Sequence, residues 1–280
     1  MKQLLVYIFA FMLATAALHA QETIDTAQFW AVYKFSYKTA PEQPDFDWLD
    51  WMYLDVGDKA TKFFNRYAEI KDSVKDEGLK KGLSAWELFD LTKEYPVRGA
   101  APIYYQLYDE RKTKVSTEYA VDGYTYEEPM EMPNWTLHED TMTVLGYLCK
   151  RATTHFRGRD WEVYYAPEIQ LSRGPWKLWG LPGLITRATD ADHYFLFEID
   201  LFKRLENPFP ILYIHRKLGP KGGRKGDEYK VVSKETYMKY EASYHKDMSA
   251  FISFEIGSEI KDTEGNPMPV RELPYIPLEK

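Results

Sequence analysis

Cysteine is nearly absent: Cys149 is the one thiol in 280 residues. No internal disulfide can form, so the chain must rely on its core. Histidine is sparse too. Past the N-terminal segment it stands at His138, His155, His193, His215 and His245. None lies three or four residues from another, which excludes a metal pair on one helical turn. The zinc-peptidase, serine-hydrolase and paired-cysteine strings are missing. Positive charge falls short of negative, with 36 Lys and Arg against 43 Asp and Glu and a net charge of −7. That balance argues against a nucleic-acid or anionic-membrane surface.

Long apolar runs are missing except at the start. Met1-Lys2-Gln3 leads into an apolar run from Leu4 to Leu18, with small Ala20 before Gln21. This pattern predicts a signal peptide over residues 1–20, cleaved after Ala20, with a cut after Ala17 as the alternative. The run is short for a membrane span. The expected mature protein is periplasmic or secreted, without a transmembrane segment. Residues 21–280 suffice for one domain with a sizeable core.

What is present is aromatic: 22 Tyr, 15 Phe and 8 Trp. Phe29 to Tyr37 alternate with period two, which predicts a strand. Trp51–Val56 and Lys62–Ala68 read as a hairpin around Gly57-Asp58-Lys59. Residues 69–94 mix charge with Ile70, Val74, Leu83, Leu88 and Leu91, and Gly78 and Gly82 interrupt them, which predicts two short helices. Ile103–Tyr108, Lys114–Ala120, Thr141–Thr154 (one strand, or two broken at Gly146), Trp161–Tyr165, Ile185–Ala188 and His193–Phe202 read as further strands. Val231–Met248 reads as helical, and Ala250–Ile256 as alternating. The Gly-rich basic stretch from Lys217 to Lys230 lacks a phosphate-loop pattern and reads as a surface loop. The expected fold is mainly β with a few helices. It is a strongly curved antiparallel sheet, half-barrel-like, with a helical insertion near residues 69–94.

The least ordinary stretch runs from Gly174 to Ile185. Gly174, Pro175, Gly180, Pro182 and Gly183 forbid a regular helix, while Trp176, Trp179, Leu181, Leu184 and Ile185 are too apolar for a solvent loop. A fixed, packed, non-repetitive segment is expected. Gly180-Leu181-Pro182-Gly183-Leu184-Ile185 resembles the hallmark of the GLPGLI family of exported Bacteroidota proteins. Gly146-Tyr147-x-Cys149-x-x-Ala152, the turn with Gly158-Arg159, and Tyr165 with Glu168-Ile169 resemble its preceding blocks, and Gly174-Pro175-Trp176 leads into the hallmark. Tyr164 stands where the family pattern has Trp, and Gln170 where it has Pro. The resemblance implies export and a family setting near outer-membrane transport genes, and it implies no reaction.

Three functional readings follow. The first is a non-enzymatic envelope protein that binds an apolar, lipid-like ligand or an envelope protein partner, without a cofactor. Its cleft would be lined by Trp161, Trp176, Trp179, Leu181, Pro182 and Leu184. The second is a hydrolase assembled from scattered residues such as His138, Glu168 and Cys149. The third is copper handling through Met130 and Met132, since soft sulfur ligands suit that ion. Gap-filling at a sheet edge is the preferred reading of the two methionines.

Overall fold

The structure is a computed structural model that describes residues 21–98, 101–119, 122–214, 228–262 and 264–280. The expected signal peptide, His215 and residues 217–227 of the Gly-rich loop lie outside the described residues.

The chain runs β1 (Gln21–Tyr37), β2 (Trp48–Val56), β3 (Ala60–Asn65), α1 (Arg66–Lys80), α2 (Ala85–Thr92), β4 (Ile103–Leu107), β5 (Lys112–Glu118) and β6 (Gly123–Pro129). It continues through β7 (Thr136–Val144), β8 (Tyr147–Phe156), β9 (Arg159–Ala166), β10 (Leu184–Asp190), β11 (Phe195–Ile214), β12 (Lys230–Val231), α3 (Lys234–Lys246) and α4 (Met248–Ile256). All twelve strands join one sheet in the order β12-β6-β5-β4-β3-β2-β1-β11-β10-β9-β8-β7. Every pairing is antiparallel except β12 with β6.

The expected strongly curved half-barrel is corrected by this topology. The sheet is open: β12 and β7 are its two edges and do not pair. The fold is a mixed, β-rich α+β arrangement with four helices among the described residues, not a sheet with one helical insertion. Period-two alternation states which residues share a face. It is silent on whether the edge strands meet, which is why the expectation overreached.

A second correction concerns Ala250–Ile256, whose alternation suggested a strand. It forms α4, because the Asp247 side chain accepts the Ser249 and Ala250 amides and Gly257 ends the helix at φ 69°. Aspartate at the N-cap and glycine just past the end are helix boundary signals that outrank a short alternation. The helix pair over residues 69–94 forms as expected. Ser84 and Glu87 make a reciprocal capping box at the start of α2. Among the described residues, no helix is long and apolar enough to cross a membrane.

β1 lies mid-sheet, between β2 and β11. From Phe29 to Tyr37 its odd-numbered side chains face the main core, where Ala31 stands beside Leu54 and Tyr33 beside Met52. Phe35 stacks on Phe197 with centroids 4.3 Å apart. Trp30 points to the opposite face, in register with Asp55, which is in turn in register with Lys62. Tyr105 on β4 continues that row. The two faces therefore differ in kind: one is the apolar core, and the other carries aromatic and charged side chains.

Candidate functional site

The Gly174–Ile185 segment is built into the interior. Trp176, Leu178 and Leu181 are buried in the main core with Trp161, Leu184 and Ile185. Trp179 is buried and donates its indole N–H to the Glu131 carbonyl at 3.0 Å. Tyr33 donates its hydroxyl to the Ile185 carbonyl at 2.7 Å. Of the six side chains expected to line a cleft, Pro182 alone is exposed. Trp161 also borders a small cleft of about 530 Å³ beside His155, Asp160 and His193.

The other residues of the motif blocks make turns and packing contacts. Gly146 (φ 82°) turns β7 into β8, and Gly158 (φ 78°) turns β8 into β9. Tyr147 packs against the core, and Ala152, Tyr165 and Ile169 lie within it. Gly174 allows close approach: a β-carbon there would sit 2.7 Å from the Leu178 carbonyl oxygen. Pro175 is buried, and its carbonyl accepts the Leu178 amide at 3.1 Å. Gly180 (φ 98°) lies against the Met132 side chain. Arg159 is buried, pairs with Asp190 at 3.1 Å, and donates to the carbonyls of Leu278 (3.0 Å) and Pro277 (2.5 Å).

The candidate hydrolase residues sit in different surroundings. Cys149 is buried, with Sγ 3.2 Å from Thr186 Oγ1, and burial pushes its thiol above the ordinary range. His138 bonds Thr153 Oγ1 at 2.8 Å, while Glu168 is exposed. The methionines also part: Met130 is buried and Met132 is 61% exposed. Among the described residues, no group of three or more His, Cys, Asp or Glu is placed to hold a metal ion.

Lys177 escaped notice in the sequence, although a lysine between two tryptophans in an apolar segment is itself a signal. Its Nζ donates to Glu128 Oε1 at 2.5 Å, to Tyr126 Oη at 3.1 Å, and to Glu279 Oε1. Lys234 reaches the other oxygens of the same two carboxylates, at 2.9 Å on Glu128 and 2.5 Å on Glu279. Arg157 meets Glu128 at 3.0 Å. Burial opposes ionisation of Glu128, but Lys177 first, then Lys234 and Arg157, carry its carboxyl below the usual range. Nearby, Glu241 is pushed up to about 7 by desolvation and by Glu279, against the pull of Lys177. This network ties the central segment to β6, α3 and residues 277–280. Its charges answer one another, which is the signature of a clamp.

Open space lies elsewhere. A cavity of about 1390 Å³ sits between the second face of the sheet and α1. Trp30, Tyr53, Asp55, Lys62 and Phe64 form its sheet wall. Leu212 and Ile214 of β11 and, further along, Ile103, Tyr244 and Leu273 supply apolar surface. Trp30 and Tyr53 meet edge to face at 4.7 Å. Each ring of the wall carries a cation: Lys203 over Trp30 at 4.9 Å, Arg66 over Tyr53 at 5.1 Å, and Lys62 over Phe64 at 4.1 Å. Glu69 on α1 bridges Lys62 at 3.0 Å and Arg66 at 3.7 Å, holding the helix to the sheet.

Asp55 is the unusual group. It is 5% exposed, and desolvation pushes its carboxyl up to about 7 despite neighbouring Lys62. Among the described lining residues, Lys62, Arg66, Lys71, Lys75, Lys80, Arg98, Lys203 and Arg271 outnumber Asp55, Glu69, Asp72, Glu77 and Glu118. The cavity is thus cationic on balance in a chain whose net charge is −7. Nothing in the sequence marked Asp55 or Lys62, because each stands at an alternating polar position of the kind that usually faces solvent.

A carboxyl raised from its unfolded value costs stability once pH rises past that value, because the native state must then hold a buried charge or keep its proton. We therefore expect Asp55→Asn to gain on the parent between pH 5 and pH 8 by about 1–3 kcal/mol, at 1.36 kcal/mol per pKa unit. Urea unfolding at the two pH values measures this. A mutant-to-parent difference that does not change with pH would show that Asp55 titrates normally.

No family model matches the sequence, and no curated protein matches it. Among solved structures, the chain is similar to PNGF-II in two crystal forms, P21 and C2, at 13% and 12% identity and a TM-score of 0.49 in each case. Each match covers 79% of this chain and 34% of the other, so the chain spans about a third of the length of these structures. A likeness at this level carries no argument about activity.

Proposed function

We propose that this is a non-enzymatic binding protein of the bacterial envelope that carries an amphipathic small molecule in the cavity beneath α1. The cavity itself supports the reading. At about 1390 Å³ it exceeds the usual range for a small-ligand pocket, roughly 300–1,000 Å³, and it combines aromatic walls with a few buried polar groups. The envelope setting rests on the predicted signal peptide and on the resemblance to the GLPGLI family. In this reading the hallmark segment is the scaffold, and the site is on the other face of the sheet.

Native mass spectrometry of protein purified from its own envelope fraction tests the reading. We expect a stoichiometric adduct that organic extraction removes, and whose return quenches the fluorescence of Trp30 and Trp48 at the cavity wall. Protein that stays free of adduct, and whose fluorescence is unmoved by amphiphiles of any charge, would overturn it.

A further inference from the structure

The cavity also indicates what kind of head group it takes. Trp30, Tyr53 and Phe64 stand together on the sheet wall, and Lys203, Arg66 and Lys62 already lie over them. A ring face occupied by a cation has no attraction left for a second one. At these three rings the wall therefore presents positive charge and favours an anion over an ammonium group. Glu69 is engaged with both Lys62 and Arg66. Asp55 is buried in the same wall beside Lys62, and its desolvation favours the protonated form, so its negative charge is only partly present at neutral pH. Apolar surface from Leu212, Ile214 and Leu273 runs away from this charged end.

We propose that the cavity binds an anionic amphiphile with an alkyl chain, its carboxylate seated between Arg66 and Lys203 over the Trp30–Tyr53 pair. This rests on the reading of the cavity as a ligand site and narrows it to one chemistry. Arg66 offers a planar fork suited to a carboxylate, and Lys203 offers a point charge beside it. Arg66 is partly exposed in its side chain, so it can turn from Glu69 to a ligand without a large loss. The long chain of a bound acid would follow β11 toward Leu212 and Ile214.

Titration calorimetry of the folded protein with decanoate, decanol and decyltrimethylammonium, each below its micellar concentration or solubility limit, tests the choice. Decanoate should bind at least tenfold tighter than the other two. The double variant Arg66→Gln, Lys203→Gln should weaken decanoate at least tenfold while leaving decanol within about twofold. An unchanged urea midpoint for that variant guards against misfolding. Decanol or the ammonium compound binding as well as decanoate would overturn the anionic assignment and leave the cavity a ligand site. Loss of decanoate and decanol to the same extent would overturn the seat at Arg66 and Lys203. Failure of all three to bind, with no adduct in native mass spectrometry, would overturn the carrier reading and this inference with it.

Discussion

Replacing Lys177 with alanine should lower the unfolding free energy by about 3 kcal/mol, the scale seen when one partner of a buried ion pair is removed. The lysine neutralises Glu128 and Glu279 inside the protein, where an uncompensated carboxylate has neither water nor partner. Lys234 and Arg157 remain close to the same carboxylates, which keeps the loss toward the lower end of that range. Lys177→Met alone should be nearly as damaging, because the missing charge matters more than the missing volume. Adding Glu128→Gln alone to Lys177→Met should recover part of the loss, since one buried negative charge goes with its partner while Lys234 and Arg157 still answer Glu279. Urea unfolding of the parent and the three variants measures the series. A loss below about 1 kcal/mol for Lys177→Ala would mean that the network is solvated and is not a clamp.

The second large effect is expected at Gly183. Its φ is 156°, and a β-carbon there would lie 2.3 Å from the Ala166 carbonyl oxygen and 2.9 Å from the Pro167 nitrogen. Both obstacles are backbone at the end of β9, so neither can swing aside. Gly183→Ala must combine a strained backbone with displacement of a strand end, at about 2–4 kcal/mol. Gly146 provides the contrast within the same set of motif residues. Its φ is 82°, yet nothing lies within 4 Å of the added carbon. Gly146→Ala should lose only about 1–2 kcal/mol, the left-handed penalty alone. Thermal unfolding of the two variants side by side checks the ranking. Equal losses would mean that the close approach at Gly183 relaxes at no cost.

These two residues show what the sequence made legible. The glycines and prolines of the central stretch announced a fixed, packed, irregular segment, and the segment is fixed and packed. Phe29–Tyr37 announced a strand and its two faces by alternation, and Tyr33 and Trp30 do face opposite ways. The helix pair near residues 69–94 was legible from its interrupted periodicity, although α1 begins at Arg66, directly after β3. Strand order was not legible, because it depends on pairings such as Phe35 with Phe197 that no local pattern encodes. The cavity was hidden for a related reason. Asp55 and Lys62 are ordinary polar members of two separate strands until the register sets them side by side and α1 covers them. The tryptophans of the Gly174–Ile185 segment fill the core, and the open space lies on the other face of the sheet.

The placement of β1 has a consequence for how the chain is made. The first described strand pairs along its whole length with β11, far away in sequence, and two local meanders flank that pair. Each meander can assemble from neighbouring residues, but the seam between them waits for β11. Such high contact order slows folding into the millisecond-to-second range. Until then β1, rich in Trp, Tyr and Phe, has an open edge on one side. A chain emerging in N-to-C order must therefore carry an unsatisfied aromatic strand for most of its synthesis, and holding that strand apart is the task a chaperone would perform for it.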